Sequence, residues 1–187
     1  MIPGIRTISS DRPITIRVRG GNLVIKGDDS LTEAQLISHL GDQAEDGVYR
    51  VGGNAVLRMP RHAPVTVEGT VGEGAFTHLD SLTLESVSGN VAAKDIGSLV
   101  VQGALHGNVA LNRLAEPLAL GTVHGNLAAK KLHSLTLAEA HGDIALNRLE
   151  EEVVIDRVHG NMALNHPGHR AEVRHIEGRL SLSGALH

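Results

Sequence analysis

Four histidines recur at one place in a repeating turn, His106, His124, His141 and His159, separated by 18, 17 and 18 residues. Imidazole is the commonest neutral metal ligand and titrates near neutrality, so a regular row of it is where chemistry is first sought. If each interval is one coil of stacked strands, the rings form a column with rungs about 4.8 Å apart. Rings that close could share a transition metal through their free nitrogens. Protonating one rung would disfavour protonating the next, drawing the folded pKa values below the ordinary ~6.5. No Asp, Glu or Cys recurs in the sequence beside the row, so the simpler expectation is a solvent-facing turn residue copied by duplication, with no metal and no cofactor.

The residues after these histidines repeat as well. Ser88-Gly89-Asn90, His106-Gly107-Asn108, His124-Gly125-Asn126, His141-Gly142-Asp143 and His159-Gly160-Asn161 share one frame. Asn tolerates left-handed turn geometry, and stacked amides bond along a stacking axis, so Asn90, Asn108, Asn126, Asp143 and Asn161 are expected to form a structural ladder. Their glycines are expected to serve recurrent tight turns. No catalytic residue is assigned. The chain has no G-x-S-x-G elbow, phosphate loop or H-E-x-x-H, and Glu150-Glu151-Glu152 is expected to be a solvated turn.

The elements that carry these columns follow from the pattern between them. Each Gly-Asn or Gly-Asp pair is followed by alternation, as in Val91-x-Ala93, Val109-x-Leu111, Leu127-x-Ala129, Ile144-x-Leu146 and Met162-x-Leu164. A second alternating pair comes later in the unit: Leu99-x-Val101, Leu118-x-Leu120, Leu135-x-Leu137, Val153-x-Ile155. Period 2 is the strand signature. Such short strands cannot bury a face alone, but stacked copies bury a continuous column. The expected fold is all-β, a single-stranded β-solenoid with coils of about 18 residues and Leu111, Leu146 and Leu164 pointing inward. Ala110-Leu111-Asn112-Arg113-Leu114 returns as Ala145-Leu146-Asn147-Arg148-Leu149, so successive coils differ within a two-coil repeat of about 36 residues.

Upstream the period loosens. Residues 1–68 are expected to hold N-terminal strands continuous with the solenoid, and residues 69–187 its regular coils. Ile14-x-Ile16-x-Val18 and Leu23-Val24-Ile25 suggest a hairpin around Gly20-Gly21-Asn22. Ser30-Leu31-Thr32-Glu33 has the form of a capping box, followed by Ala34, Leu36, Ile37 and Leu40 and then Gly41. This predicts a short docking or capping helix over about residues 31–40.

Composition bounds the rest. The 187 residues contain one Phe, one Tyr, no Trp and no Cys, while hydrophobic residues still reach 41%. The core must therefore be thin and aliphatic, and disulfide, thiolate and Cys–zinc chemistry are excluded. A net charge of -4 with no basic run gives no footprint for nucleic acid or for an anionic membrane. No apolar run is long enough for a membrane span or a secretory leader, so direct membrane insertion is not expected and a cytoplasmic location is.

Leu118-Ala119-Leu120-Gly121-Thr122-Val123-His124-Gly125-Asn126-Leu127, with Leu135-Thr136-Leu137, resembles the bacterial toast-rack or "putative adhesin" family. That family repeats l-x-l-x-t-V-s-G-N/D-I/V, and Val87-Ser88-Gly89-Asn90-Val91 fits it best. The resemblance spans roughly residues 48–183. It implies a right-handed β-solenoid without established catalytic residues, often tied to the cell envelope. The bactofilins, β-helical polymers with coils of this length and similar G-N/D turns, are the second resemblance. The Pro- and charge-rich tails usual for them are not expected here.

The expectation is a non-enzymatic structural or scaffold protein whose partner is itself, in oligomers or filaments formed through coil ends or a flat face. Leu180-Ser181-Leu182-Ser183 is expected to be a final strand with an unpaired edge. The alternative is a surface or envelope adhesion module. A third reading, a β-helical acyltransferase-like enzyme, fits poorly. Those coils place an aliphatic residue at every sixth position, and here Val91, Ala93, Ile96, Leu99, Val101 and Leu105 are unevenly spaced.

Overall fold

A computed structural model describes residues 4–38, 43–45 and 48–184. It is an all-β solenoid of about seven turns with coils of about 18 residues. The chain opens with β1 (Gly4–Ile8), β2 (Ile14–Arg19), β3 (Leu23–Asp28), β4 (Ala34–Ser38) and β5 (Gln43–Glu45). Then come β6 (Val48–Val51), β7 (Ala55–Pro60) and β8 (Val65–Val71), followed by the long, bent β9 (Gly74–Val87) and β10 (Val91–Val101). From there each coil contributes one strand to each of two faces. The first face receives β11 (Val109–Leu114), while the second receives β12 (Leu118–Val123). Next are β13 (Leu127–Leu132) and β14 (Leu135–Ala140), then β15 (Ile144–Leu149) and β16 (Glu152–Val158), with β17 (Met162–Asn165), β18 (Arg170–Ile176) and β19 (Leu180–Ser183) last.

Pairing between coils is parallel and keeps equivalent residues opposed. Val109 pairs with Leu127, Leu127 with Ile144, and Ile144 with Met162. On the second face Leu118 pairs with Leu135 and Leu135 with Val153. In the coil formed by β13 and β14, Leu127, Ala129, Leu132, Leu135, Leu137 and Ala140 all point inward and are buried. Leu111, Leu146 and Leu164 are buried as expected. One apolar cluster runs from Ile8 to Leu164, with Phe76 its sole aromatic.

The uneven spacing of inward residues has a backbone cause. Asp95, Arg113, Lys131 and Arg148 have φ of 55°, 63°, 57° and 59°, and His78 and His166 hold the same corner at 59° and 53°. In a continuous strand the residue two after Ala129 would point inward. A left-handed residue at Lys131 shifts the phase, so Leu132 takes that place instead. The corner uses ordinary side chains, at a cost of order 1–3 kcal/mol each.

The repeated glycines have a different reason from the one expected. Gly89, Gly107, Gly125, Gly142 and Gly160 do not occupy the left-handed region; each instead lies against the glycine one coil earlier. A Cβ on Gly142 would stand 2.5 Å from the Gly125 carbonyl oxygen, and one on Gly160 equally close to that of Gly142. Close backbone stacking, not turn conformation, requires them.

Two expectations for the N-terminal region are corrected. β2 and β3 do not form a hairpin; they are successive sides of one coil. Ile16 pairs in parallel with Tyr49 on one side and Val67 on the other, and Ile25 with Leu57 and Phe76. The β2–β3 coil thus lies between the β6–β7 and β8–β9 coils, out of chain order. The expected helix over 31–40 is absent: β4 fills Ala34–Ser38, and residues 39 and 40 lie outside the described residues. Ser30 closes a local turn by donating to the Asp28 carboxylate from both its backbone N–H and its hydroxyl. Ala34, Leu36 and Ser38 then alternate inward, and β4 runs antiparallel to β7 and β1. About ten residues of helix propensity lose to two flanking ladders and a buried face. β4 and then β1 extend the sheet at this end of the stack, with β1 its outermost strand.

The two backbone devices predict opposite responses. Gly125→Ala is expected to destabilise by about 2 kcal/mol or more, because the obstruction is backbone. Lys131→Gly is expected to leave stability unchanged or raise it by up to about 1 kcal/mol, since it relieves the left-handed corner. Urea unfolding midpoints check both.

Candidate functional site

The turn columns follow directly from the coil register. Each histidine comes after an inward residue, Leu105, Val123, Ala140 or Val158, and all four are buried. Backbone bonds hold the histidines in line: His106 N–H donates to Val87 O, His124 to Leu105 O, His141 to Val123 O and His159 to Ala140 O, at 2.8–3.0 Å. The rings stack as the spacing predicted. Centroids are 4.7 Å apart for His106–His124 and 4.8 Å for both His124–His141 and His141–His159, with interplanar angles of 3–14°. Ser88 begins this column upstream and Glu177 continues it downstream, each bonded through its backbone N–H in the same way.

The neighbouring ladder is also in place. Asn90 Oδ1 accepts the Asn108 backbone N–H at 3.2 Å and Asn108 Oδ1 that of Asn126 at 3.0 Å. Asn126 Oδ1 accepts from Asp143 at 2.8 Å, Asp143 Oδ1 from Asn161 at 2.7 Å, and Asn161 Oδ1 from Arg179 at 3.1 Å. Each side chain therefore satisfies a backbone donor of the next coil. Gly107, Gly125, Gly142 and Gly160 let the turns approach closely enough for this.

Sequence inspection found no carboxylate beside the histidines, and the structure corrects that. His159 Nε2 lies 2.8 Å from Glu139 Oε1 and its Nδ1 lies 3.0 Å from Glu177 Oε1. Glu139 precedes His141 by two residues on β14 and reaches along the stack to the following coil. Parallel pairing of β14 with β16 opposes it to Arg157, and the Arg157 guanidinium stands 3.6 Å from its carboxylate. Glu177 was visible in the sequence, in frame one coil after His159. Glu139 was not, because only the pairing of two distant strands sets it beside that ring.

The electrostatics of His159 also reverse the expectation for its rung. Hydrogen bonds to Glu139 and then Glu177 hold its pKa above the ordinary imidazole value, against a smaller opposing effect of burial. Glu139 is correspondingly lowered, first by the bond from His159. Attraction to two carboxylates outweighs the cost of partial burial.

No family model matches the chain, and no curated protein does. Among solved structures it is similar to a "putative adhesin" from Bacteroides fragilis NCTC 9343. The identity is 17% and the TM-score 0.53, over 98% of this chain and 97% of that one. The two share a fold. A "putative cell adhesion protein" from Clostridium sporogenes ATCC 15579 aligns over 97% of this chain and 99% of that one at 11% identity, with a TM-score of 0.29. The β-solenoid fold expected from the sequence is the one shared with the Bacteroides protein.

Asn126→Ala removes the acceptor for the Asp143 N–H and is expected to cost about 1 kcal/mol in urea unfolding. A raised folded pKa at His159 contributes stability that is fully present below the unfolded value and lost as pH rises through the folded one. The melting-temperature advantage of wild type over His159→Gln should therefore be largest near about pH 6 and shrink toward about pH 8. An advantage that grows with pH would count against the paired His159.

Proposed function

We propose that this protein is a non-catalytic structural β-solenoid that associates with a second copy of itself through its C-terminal coil. The observation that carries the proposal is the end of the inward column. Leu180 and Leu182 pair with Met162 and Leu164 in parallel register. Met162 and Leu164 are each 1% exposed, whereas Leu180 and Leu182 are 46% and 62% exposed. Among the described residues, core-type side chains thus stand exposed on the last strand, which invites pairing with another chain. At the opposite end the sheet is extended by the antiparallel β4 and then β1. Pairing of this one edge with its own copy gives a closed pair, C-terminal coil to C-terminal coil, rather than a filament.

A second reading, an adhesion module, is favoured by the fold shared with the Bacteroides protein. Its surface would be the first face, which the outward row Ala92, Ala110, Ala128, Ala145 and Ala163 makes flat and weakly polar.

Light scattering coupled to size exclusion tests the first reading. Wild type should have twice the 19.7 kDa chain mass. Leu182→Asp should run as a single chain with unchanged circular dichroism, and Ser181→Pro should do the same by removing a ladder donor from the last described strand only. A wild-type protein that stays monomeric at every concentration tested would overturn the proposal and leave the adhesion reading.

A further inference from the structure

The ligand atoms of Glu139, His141 and His159 all lie within 4.8 Å of one another. They come from three points on two adjacent coils, and the parallel register fixes their backbones relative to each other. His141 is exposed, while His159 and Glu139 are half-buried, so all three side chains have room to turn. We propose that these three residues bind a divalent transition metal of the zinc or nickel class at the edge of the histidine column.

The donor set fits that class. Two imidazole nitrogens and one carboxylate oxygen suit zinc or nickel better than calcium or magnesium, which favour all-oxygen shells. Ligands of tetrahedral zinc, bound at 2.0–2.1 Å, lie about 3.3 Å apart, so the widest separation must close by up to roughly 1.5 Å while the His159–Glu139 pair opens by roughly 0.5 Å. Rotation of the side chains supplies this without moving the coils. The His141 and His159 rings are stacked, and each must turn about its side-chain bonds to direct a nitrogen at the shared ion. His159 Nε2 already faces Glu139 at 2.8 Å, where a metal would take the place of the hydrogen bond. Its Nδ1 is held by Glu177 at 3.0 Å. A carboxylate on the far nitrogen is the usual outer partner of a metal-bound histidine, fixing the ring and raising its basicity.

One cation competes for the site. Arg157 Nη1 stands 3.6 Å from Glu139 Oε1, but the Arg157 side chain is 57% exposed and can swing into solvent. Farther up the column the same chemistry is missing. Thr122 pairs with Glu139 across the strands and stands where His141 would need its own carboxylate. The His124–His141 pair therefore has rings at the same spacing without the acidic partner, and Ala104 holds the equivalent position two residues before His106, which localises the site to the last two histidines.

Titration calorimetry of the full chain with zinc chloride tests this. Wild type should bind one zinc per chain at this site, and zinc should raise its melting temperature, because an ion that binds only the folded state stabilises it. His141→Ser should weaken binding about tenfold or more, and Glu139→Gln about tenfold. His106→Ser, two rungs away, should bind as wild type does. Serine suits this turn, since Ser88 occupies the equivalent position upstream, and circular dichroism checks that each variant keeps the fold. Absence of binding would overturn the proposal. So would wild-type affinity in Glu139→Gln, or a loss in His106→Ser equal to that in His141→Ser, because either would mean stacked imidazoles alone hold the ion.

Discussion

Parallel stacking in register places every residue of a coil directly beside its counterpart 17 or 18 positions away, and most features of this protein follow from that constraint. A strand-to-strand spacing near 4.8 Å leaves no freedom to stagger like residues. Inward positions must suit the inward positions on both sides, hence columns of Leu, Ile, Val and Ala. Turn positions must tolerate their own images, hence glycine where two backbones meet. Polar residues either repel their copies or bond to them. Asn does the second, since its oxygen reaches the amide of the next coil, as from Asn108 to Asn126.

The same constraint explains why chemistry concentrates where the repeat breaks. Identical rungs offer only identical groups, and a row of imidazoles has no built-in counter-charge. At the C-terminal side of the histidine column the repeat changes. Glu177 takes the histidine position, and Glu139 stands where Thr122 stood one coil earlier. His159 consequently has a carboxylate at each nitrogen, while His106 and His124 have only ring neighbours among the contacts described. A structural column has in this way acquired a local charge arrangement with metal-site donors.

The N-terminal part obeys different rules. There the β2–β3 coil lies between coils that come later in the chain, and antiparallel β4 and β1 extend the sheet beyond them. Such an arrangement ties residues separated by more than thirty positions, as Leu23 is from Ala55. It also makes the two ends of the solenoid unlike. One end finishes in the antiparallel strand β1, while the other presents Leu180 and Leu182 on the parallel strand β19. The proposed closed pair uses only the second of these ends.

The sequence by itself determined the coil length, the inward register of residues such as Leu111 and Leu146, and the alignment of the histidine and asparagine columns. These are periodic properties: once like stacks on like, a single interval places every member of a column. Only the tertiary structure decided the rest. The left-handed corners at Arg113, Lys131 and Arg148 carry no glycine or asparagine to announce them, because the need for them arises from closing a coil around a core. The strand at Ala34–Ser38 carries a helix-like signature, overridden by two neighbouring ladders that its own residues do not encode. The approach of Glu139 to His159 depends on which strand lies beside β14, and a non-periodic contact of that kind exists only after the coils have stacked.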